Sequence, residues 1–436
     1  MIRPTRRCVL LFAAAVPLAL LPALVAASLW TLWALVVGAT LAALAAERML
    51  ALGPDDLTLD AVVPPALYVG DRDLLRLHLA ARATRPVSVE VLCDLDELLE
   101  AQPPAHVTVG GTPADADIPL VPRRRGTAHL VAAWLRWTGP LGLLQWTVMR
   151  TLGRELRVLP NTRAVRGAAL RFFGPRQFLT GLKLERYLGD GSEFESLREH
   201  LPGLDARALD WKASARHHKL LSREYRAERN HSVMVALDTG YLMGEPVGGI
   251  ARLDHAINVS LILAYVALKT GDRVGLFAFD DKPRQFVEPA GGLTTLARLQ
   301  RQAARLEYSR AETNFTLAFV ELKQRLRRRS LVIVITDFVD TTTAELMVET
   351  LERLSKGHLV LFVSLRDTGI EELARAEPRG LDGLNRAMTA HDLVRERETV
   401  IGRLRRQGVH CIDCPPSTVS SRLINRYLDI KRRELL

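Results

Sequence analysis

Two aspartates stand at the ends of buried, strand-like runs in the second half of the chain. Asp238 ends the apolar run 233–238, and Asp337 follows the apolar run 331–335. In parallel sheets, ligands bind beyond the carboxyl ends of the strands, where both carboxylates are expected to lie. The two groups could form a binding site or serve a metal-dependent hydrolase. No nucleophile and no histidine base lies near either strand end in the sequence, which argues against the hydrolase.

Two further motifs do not predict chemistry, and the nucleotide-binding motif is absent. Cys411 and Cys414 have the C-x-x-C spacing of redox and zinc sites, but they close a final strand instead of opening a helix, and the sequence holds no second pair. The adjacent His217 and His218 would point in different directions on any regular element, so they do not predict a metal site. No P-loop sequence occurs, so the chain is not expected to hydrolyse a nucleotide.

Strands and helices alternate over residues 231–436. Continuous apolar runs are typical of strands buried on both faces, and runs with helical spacing separate them. The expected strands cover 233–238, 273–279, 331–337, 358–365 and 409–413. This alternation predicts an α/β domain with a mostly parallel, Rossmann-type sheet that is covered by helices on both faces.

The N-terminal region is apolar enough to enter a membrane. The run from Cys8 to Ala46 carries no charged side chain, and it is about twice as long as the roughly 20 residues that one helix needs to cross a bilayer. Two prolines and a serine near its middle predict a turn, so we expect a transmembrane helical hairpin over about 8–24 and 28–46. A secretory signal peptide has a shorter apolar run, and a single tilted helix would overshoot the bilayer.

Arginines flank both ends of this apolar run, at residues 3–7 and at Arg48. The positive-inside rule places such flanks in the cytoplasm. We therefore expect a multi-pass protein of the cytoplasmic (inner) membrane, with its soluble domains facing the cytoplasm.

Residues 50–165 have a different pattern, with short runs in which apolar and polar residues alternate, as in 74–79 and 87–92. Such runs, separated by Pro, Gly and Asp, predict a small antiparallel β-sandwich. The chain is therefore expected to have four parts. These are the transmembrane hairpin (1–49), the β-sandwich domain (50–165), a charged connector (166–230) and the α/β domain (231–436).

The connector has an unusual density of interleaved charges. Opposite charges surround Trp211, and the residues that carry them are Arg198, Asp205, Arg207, Asp210, Lys212 and Arg216. Such a set could form a network of charge-assisted hydrogen bonds that holds the segment against a neighbouring domain. A solvated loop and helix with local ion pairs explains the same composition, so both interpretations stay open.

The chain has 59 lysines and arginines against 49 aspartates and glutamates, which gives a net charge of +10. This balance is compatible with a basic nucleic-acid-binding protein, but the basic run 323–329 has no interleaved aromatic residues. Attraction to the anionic inner leaflet of a membrane explains the charge equally well, so no nucleic-acid partner is expected. Four cysteines in 436 residues exclude a disulfide scaffold and fit a reducing compartment.

The strand-end aspartates lie in a pattern that resembles the von Willebrand factor A domain. In that family, a metal-ion-dependent adhesion site begins with Asp-x-Ser-x-Ser after the first strand, and a Thr from a second loop and an Asp after a later strand complete it. Asp238, Thr313 and Asp337 match three of these five positions. Gly240 and Leu242 replace the two serines.

This resemblance implies a degenerate site for Mg²⁺, an ion that oxygen ligands of this kind suit. An octahedral site would need water, Asp340 or Thr341 to replace the missing serines. The alternative is a relic that keeps the fold of the family without a metal.

The connector supplies a more specific resemblance. Its segments 193–199, 202–207, 210–216 and 223–225, followed by an A-like domain, resemble the bacterial domain of unknown function 58 (DUF58) family. The order of parts is also similar: two membrane helices, a small β domain, the signature and the A-like domain. One departure is Leu204, at a position where the family usually has Asp.

The DUF58 resemblance implies a function. Members of that family are often encoded with MoxR-type AAA+ ATPases and are thought to act as adaptors in assembling or activating other proteins. It therefore implies a membrane-anchored, non-enzymatic interaction protein. Its A-like domain would bind a protein partner, a MoxR-type AAA+ ATPase, at the rim formed by Asp238, Thr313 and Asp337.

Overall fold

A computed structural model of the chain describes most of its 436 residues. The described residues are 1–24, 30–82, 85–161, 188–200, 209–217, 219–226, 230–339 and 341–433. The chain divides into two compact units, residues 1–161 and residues 162–436. The finer division into four parts stays a prediction.

Two helices occupy the apolar N-terminal region, α1 (Arg6–Leu24) and α2 (Trp30–Leu50). They touch where the indole N–H of Trp33 donates a hydrogen bond to the carbonyl of Ala15 at 3.1 Å. Within the described residues, one segment, Trp33–Asp56, is long and apolar enough to cross a membrane, by length and composition. The transmembrane hairpin expected from the sequence stays a prediction.

The first unit also contains two β-sheets and a short 3₁₀ turn at Pro54–Asp56. Its strands are β1 (Ile2–Pro4), β2 (Leu57–Val62), β3 (Leu67–Tyr68), β4 (Asp73–Ala81), β5 (Val87–Leu95), β6 (Ala105–Val109), β7 (Ala114–Leu120), β8 (Gly126–Thr138) and β9 (Leu144–Leu159). One sheet has the order β1-β9-β8-β5-β6, with β3 beside β9, and the other has the order β2-β4-β7. The pairs are antiparallel, apart from β3 with β9, which is parallel.

Alternating burial shows why these runs form strands. Along β8, Leu135 and Trp137 are buried whereas Trp134 and Arg136 are exposed. Trp137 stands opposite Trp146 of β9 in the ladder, and both indoles are fully buried. Large aromatic side chains of this kind contribute much of the apolar area that a small β unit can bury.

The turn that joins β8 to β9 also holds the ends of both N-terminal helices. The hydroxyl of Thr5, just before α1, donates to the carbonyl of Gly142 at 2.6 Å. Glu47, near the end of α2, is fully buried. Its carboxylate accepts the backbone N–H groups of Leu143 and Leu144 at 2.9 Å. The β8–β9 turn therefore fixes the positions at which the chain enters α1 and leaves α2.

The part of the connector that the structure describes contains a two-stranded antiparallel ribbon and one helix. The ribbon pairs β10 (Leu188–Glu199) with β11 (Leu221–Arg226), and α3 (Trp211–His217) lies between them in the chain. Asp210 begins the helix, because its Oδ1 accepts the N–H groups of Lys212 and Ala213, both at 3.0 Å.

The rest of the second unit is built on a six-stranded sheet with helices on both faces. Its strands are β12 (Ser232–Asp238), β13 (Pro246–Val247), β14 (Ile250–Ala251), β15 (Arg273–Phe279), β16 (Pro283–Ala290), β17 (Leu331–Ile335), β18 (Leu359–Leu365) and β19 (His410–Cys414). Its helices are α4 (Tyr241–Gly244), α5 (Arg252–Lys269), α6 (Leu293–Ala303), α7 (Phe315–Arg325), α8 (Thr341–Ser355), α9 (Thr368–Arg375), α10 (Gly380–Arg406) and α11 (Pro416–Arg432). The mixed α/β class expected from the sequence is confirmed.

The order of the six-stranded sheet is β16-β15-β12-β17-β18-β19. The strands β15, β12, β17, β18 and β19 pair in parallel, and β16 pairs antiparallel with β15 at the edge. The short strands β13 and β14 form a separate two-stranded pair. All five parallel strands therefore end at one edge of the sheet, and Asp238 and Asp337 lie there.

Consecutive residues of each parallel strand pack into opposite helical layers. In β12, Val235 and Leu237 pack with residues of α5, α6 and α11, whereas Met234 and Ala236 pack with residues of α7, α8 and α10. Helices bury both faces of these strands, which is why the strands are continuously apolar. The rigid double layer fixes the strand ends and the side chains that they carry.

Two elements of the second unit differ from the sequence-based expectation. The run over β16 was not expected to be a strand, because Pro283 and Pro289 weaken the pattern. Its position at the sheet edge explains why they are tolerated. The sequence pattern also predicts a helix over 392–407, and α10 begins much earlier, at Gly380. Its first turns carry Leu381, Leu384 and Met388 at helical spacing, but these side chains are exposed.

Candidate functional site

Asp238 closes β12 and has 1% of its surface exposed. Its Oδ1 accepts hydrogen bonds from the backbone N–H of Gly240 and from the hydroxyl of Thr313, both at 2.8 Å. Its Oδ2 accepts a hydrogen bond from the hydroxyl of Thr336 at 2.5 Å. Three uncharged donors therefore satisfy this carboxylate.

Burial raises the pKa of Asp238 to about 6, because loss of solvent disfavours the charged form. The hydrogen bonds from Thr336, Gly240 and Thr313 act in the opposite direction and lower the pKa, while Coulomb repulsion from Asp280 raises it further. The net effect is a carboxyl group that gains a proton at a higher pH than an exposed aspartate does.

Asp337 follows β17 and binds two guanidinium groups. Nε of Arg252 donates to its Oδ2 at 2.7 Å, and Nη1 of Arg397 donates to its Oδ1 at 2.8 Å. The backbone N–H of Phe338 donates to the same Oδ1 at 3.0 Å. Asp337 is 4% exposed, so these pairs lie in a low-dielectric environment where charge-assisted hydrogen bonds are strong.

These ion pairs belong to a longer chain of alternating charges. Arg397 also binds the carboxylate of Asp413 in β19 at 3.0 Å. Arg366, which follows β18, binds Asp413 at 3.2 Å and Glu371 of α9 at 3.0 Å. The ion-pair chain therefore runs through Arg252, Asp337, Arg397, Asp413, Arg366 and Glu371. Three guanidinium groups and three carboxylates balance one another.

Arg397 is the centre of this ion-pair chain. Burial alone would lower the pKa of its guanidinium, but the carboxylates of Asp337 and Asp413 raise the pKa by more. Arg397 also donates to the hydroxyl of Ser364, at the end of β18. One side chain from α10 thereby joins the carboxyl ends of three neighbouring strands.

Gly240 stands where the A-domain pattern has its first serine. A Cβ atom added at Gly240 would overlap the hydroxyl oxygen of Thr313 and would lie 3.1 Å from Oδ1 of Asp238. The backbone of Gly240 has an ordinary φ of −63°, so glycine is required here by space and not by conformation. Thr313 occupies the volume that a serine side chain would need.

The residues present do not fit a bound Mg²⁺ ion. Mg²⁺ requires a near-octahedral set of oxygen ligands at about 2.0–2.1 Å. Both oxygens of Asp337 already accept hydrogen bonds from guanidinium groups, and both oxygens of Asp238 accept them from neutral donors. Leu242 lines the neighbouring pocket with an apolar side chain where the pattern has a hydroxyl.

Asp340 and Thr341 were the two residues expected to replace the missing serines. Asp340 lies outside the described residues. Thr341 begins α8, and its backbone N–H donates to the carboxylate of Glu396 at 3.3 Å. Within the part of the chain that the structure describes, no group of three or more His, Cys, Asp or Glu side chains could hold a metal ion.

A pocket of about 390 Å³ opens beside the ion-pair chain, at the carboxyl ends of the parallel strands. Its apolar walls include Leu242, Phe338, Val339, Ile370, Leu393 and Val394. Its polar walls come mainly from the ion-pair chain itself. Val339 is 41% exposed, so apolar surface remains accessible at the rim. A concave apolar surface with a few fixed polar groups is typical of binding sites in proteins.

Of the predicted connector residues that the structure describes, none lines this pocket. Arg198 is part of β10, and Asp210 caps α3. Trp211 is 69% exposed. Lys212 and Arg216 are exposed as well. Asp205 and Arg207 lie outside the described residues.

The structure adds residues that the sequence did not suggest. Arg252 and Arg397 come from helices that are distant in sequence from Asp337, and no spacing pattern connects them to it. Thr336 could have been identified from the sequence, because a hydroxyl directly before a strand-end aspartate can bind the carboxylate of the neighbouring strand. Thr313 was expected to be a metal ligand, and in the structure its hydroxyl donates a hydrogen bond to Asp238.

The comparison with protein families agrees with the signature in the connector. Residues 196–407 match the family model described as protein of unknown function DUF58. The match covers part of the connector and most of the parallel sheet, including Asp238, Thr313 and Asp337. No curated protein matches the chain.

Several solved structures are similar to the chain. A conserved hypothetical protein, BatB, from Bacteroides thetaiotaomicron is 15% identical, with 47% of this chain and 100% of that chain covered and a TM-score of 0.33. The vWF domain of the type V pili tip protein Mfa5 from Porphyromonas gingivalis is 11% identical, with 46% and 95% covered and a TM-score of 0.28. An uncharacterized membrane spanning protein from Vibrio fischeri is 15% identical, with 46% and 98% covered and a TM-score of 0.18.

Proposed function

Because the chain belongs to the DUF58 family, we propose that it is a membrane-anchored, non-enzymatic adaptor that binds a protein partner. The observation that carries the proposal is the pocket at the carboxyl ends of the parallel strands, where sheets of this kind bind ligands. Its apolar walls and the exposed Val339 offer a partner buried area, and the fixed charges beside them offer orientation.

The partner that we propose is a MoxR-type AAA+ ATPase, acting with this chain in the assembly or activation of other proteins. The described sheet edge supports a binding role better than a catalytic one. Its carboxylates are held by neutral donors at Asp238 and by guanidinium groups at Asp337. Hydrogen bonds of this kind compete with a catalytic water or metal for the same oxygens, which favours the adaptor over the hydrolase alternative.

The proposed anchor consists of α1 and α2. Their side chains leave large apolar groups exposed, including Leu10, Leu35 and Leu41. A contiguous exposed apolar surface of this kind is unfavourable in water and favourable in a bilayer. We propose that both helices cross the cytoplasmic membrane and that the two folded units face the cytoplasm, in agreement with the flanking arginines.

Co-purification tests the partner. The full-length protein in detergent should retain a MoxR-type ATPase of the same organism. Val339→Asp should weaken binding about tenfold or more, because a charge replaces apolar contact area at the rim. Leu346→Asp is the matched control, since Leu346 is an exposed apolar residue of α8 that does not line the pocket. Equal binding by both variants would show that the rim is not the contact.

A topology reporter tests the anchor. A reporter enzyme that is active only in the cytoplasm should be active when it is fused after Leu436. The protein should also fractionate with membranes until detergent is added. Periplasmic activity of the fusion would overturn the proposed orientation, and extraction by salt alone would overturn the anchor.

A further inference from the structure

We infer that the strand-end site of this protein is metal-independent, and that Arg252 and Arg397 supply the positive charge that a metal ion supplies to a complete adhesion site. The inference concerns the chemistry of Asp337 and does not depend on the identity of any partner. It rests on three observations: the donor set of each aspartate, the space around Gly240 and the charge balance of the ion-pair chain.

The first observation is that both carboxylate oxygens of each aspartate already accept hydrogen bonds. Asp337 receives one guanidinium on each oxygen, at 2.7 Å from Arg252 and at 2.8 Å from Arg397. A metal ion bound to Asp337 would compete with these charge-assisted hydrogen bonds in a buried environment. Displacement would also leave a buried guanidinium with fewer partners, which is costly.

The second observation is that the volume beside Asp238 is filled. A serine side chain at Gly240 would overlap the hydroxyl oxygen of Thr313. That hydroxyl donates its hydrogen to Asp238, so its hydrogen points at the carboxylate and the residue acts here as a donor. Thr313 thus occupies the space that the side chain of the first serine of the adhesion-site pattern would need.

The third observation is that the ion-pair chain is electrically balanced. Its three arginines and three carboxylates alternate, with neighbouring charged atoms 2.7 to 3.2 Å apart. A divalent ion placed within it would add two positive charges close to three guanidinium groups. Repulsion at such distances in a partly buried site is large compared with thermal energy.

The ion-pair chain also joins elements that are separate in sequence, as a bound metal ion would. Arg252 opens α5, and Asp337 follows β17. Arg397 belongs to α10, and Asp413 belongs to β19. A metal-filled site would join such elements through coordination bonds. Here the guanidinium groups join them through hydrogen bonds with fixed geometry.

Metal titration of the full-length protein in detergent is the first test. Thermal unfolding should show the same midpoint in EDTA, in millimolar Mg²⁺ and in millimolar Mn²⁺, and the Mn²⁺ electron paramagnetic resonance signal should be that of the free ion. A saturable rise of the midpoint with Mg²⁺ or Mn²⁺ that disappears in Asp337→Asn would overturn the inference.

Arginine variants are the second test. Arg252→Met should lower the unfolding midpoint much more than Arg353→Met does, because Arg353 forms an exposed ion pair within α8 and Arg252 neutralises a buried carboxylate. Adding Asp337→Asn to the Arg252→Met variant should recover part of the loss, since the buried carboxylate that has lost one of its two guanidinium partners is then neutral.

If Arg252→Met does not fold, Arg252→Gln gives the same comparison, because glutamine removes the charge and keeps a side chain that can donate a hydrogen bond. A midpoint for the Arg252 variants equal to that of Arg353→Met would mean that the guanidinium does not neutralise Asp337. The inference would then be wrong, whatever the metal titration shows.

Discussion

Glu47 accepts the backbone N–H of Leu143 with both of its carboxylate oxygens, at 2.9 and 3.0 Å. The side chain comes from the last turns of α2 and is fully buried, and it also accepts the N–H of Leu144 at 2.9 Å. A charged residue at the end of an apolar helix is usually placed in solvent. Here it fastens the end of the helix to the β8–β9 turn of the first unit.

We expect Glu47→Ala to destabilise the first unit by about 3 kcal/mol, because two buried N–H groups lose a charged acceptor. The measurement is the unfolding midpoint of the full-length protein in detergent, with limited proteolysis of the β8–β9 turn as a local readout. Glu155→Ala is the control, since Glu155 is exposed on β9, and it should change the stability by less than about 0.5 kcal/mol. Equal effects of the two substitutions would contradict the role assigned to Glu47.

Asp238 predicts a specific pH dependence. Its pKa is raised by burial from 3.8 to about 6, so between these values the folded state binds more protons than the unfolded state. The stability contributed by its protonated form is therefore fully present below pH 4 and is lost as the pH rises through about 6. The total change is about 3 kcal/mol at most.

Denaturant unfolding at several pH values, compared between the wild type and Asp238→Asn, measures this contribution. The stability of the wild type relative to the variant should fall as the pH rises from 4 to 6. A difference that stays constant over this range would show that the Asp238 carboxyl group is not shifted.

Gly240→Ser restores the first serine of the adhesion-site pattern, and we expect it to destabilise the protein by about 1–3 kcal/mol because the new side chain overlaps the hydroxyl of Thr313. The combination with Thr313→Gly should recover part of the loss, since it vacates the contested space. Thermal unfolding of the two variants is the measurement. If Gly240→Ser is as stable as the wild type, the space beside Asp238 accommodates the serine side chain and the predicted overlap with Thr313 is wrong.

Tyr427 holds the last helix, α11, against the turn that precedes β15, at the amino ends of the parallel strands. Its hydroxyl donates to the buried carboxylate of Asp272 and lies 2.9 Å from the hydroxyl oxygen of Thr270. Tyr427→Phe should cost about 2 kcal/mol of unfolding free energy, because a buried carboxylate loses a donor. Tyr241→Phe, at an exposed tyrosine, should have little effect. Similar effects of the two changes would show that this hydrogen bond contributes nothing measurable.

The strands of the second unit could be predicted from the sequence where helices bury both of their faces. The strand that ends at Asp238 is apolar throughout because helices cover both of its faces, and a run of this kind is readable in a sequence. The edge strand β16 is not, because it has one neighbour and carries prolines. The first turns of α10 were missed although Leu381, Leu384 and Met388 have helical spacing, and these apolar side chains are exposed.

The candidate site could be predicted only in part, for a physical reason. Strand ends place Asp238 and Asp337 at one edge of the sheet by topology alone. The groups that neutralise Asp337 come from the start of α5 and from the middle of α10, and an arginine in an exposed helical pattern is not distinguishable from one that turns inward. The replacement of two serines by Gly240 and Leu242 did signal a changed site, but it did not say what fills it.

The pairing of β1 with β9 has a consequence for the order in which the protein is made. The amino group of Met1 donates to the carbonyl of Thr147, 146 residues later, and Ile2 stands opposite Trp146 in the ladder. The strand β1 therefore has no strand partner until the β8–β9 segment, which follows it in the chain, has been synthesised. Any insertion of α1 and α2 into a bilayer during translation would precede completion of this sheet, so the sheet would assemble against helices that are already in place.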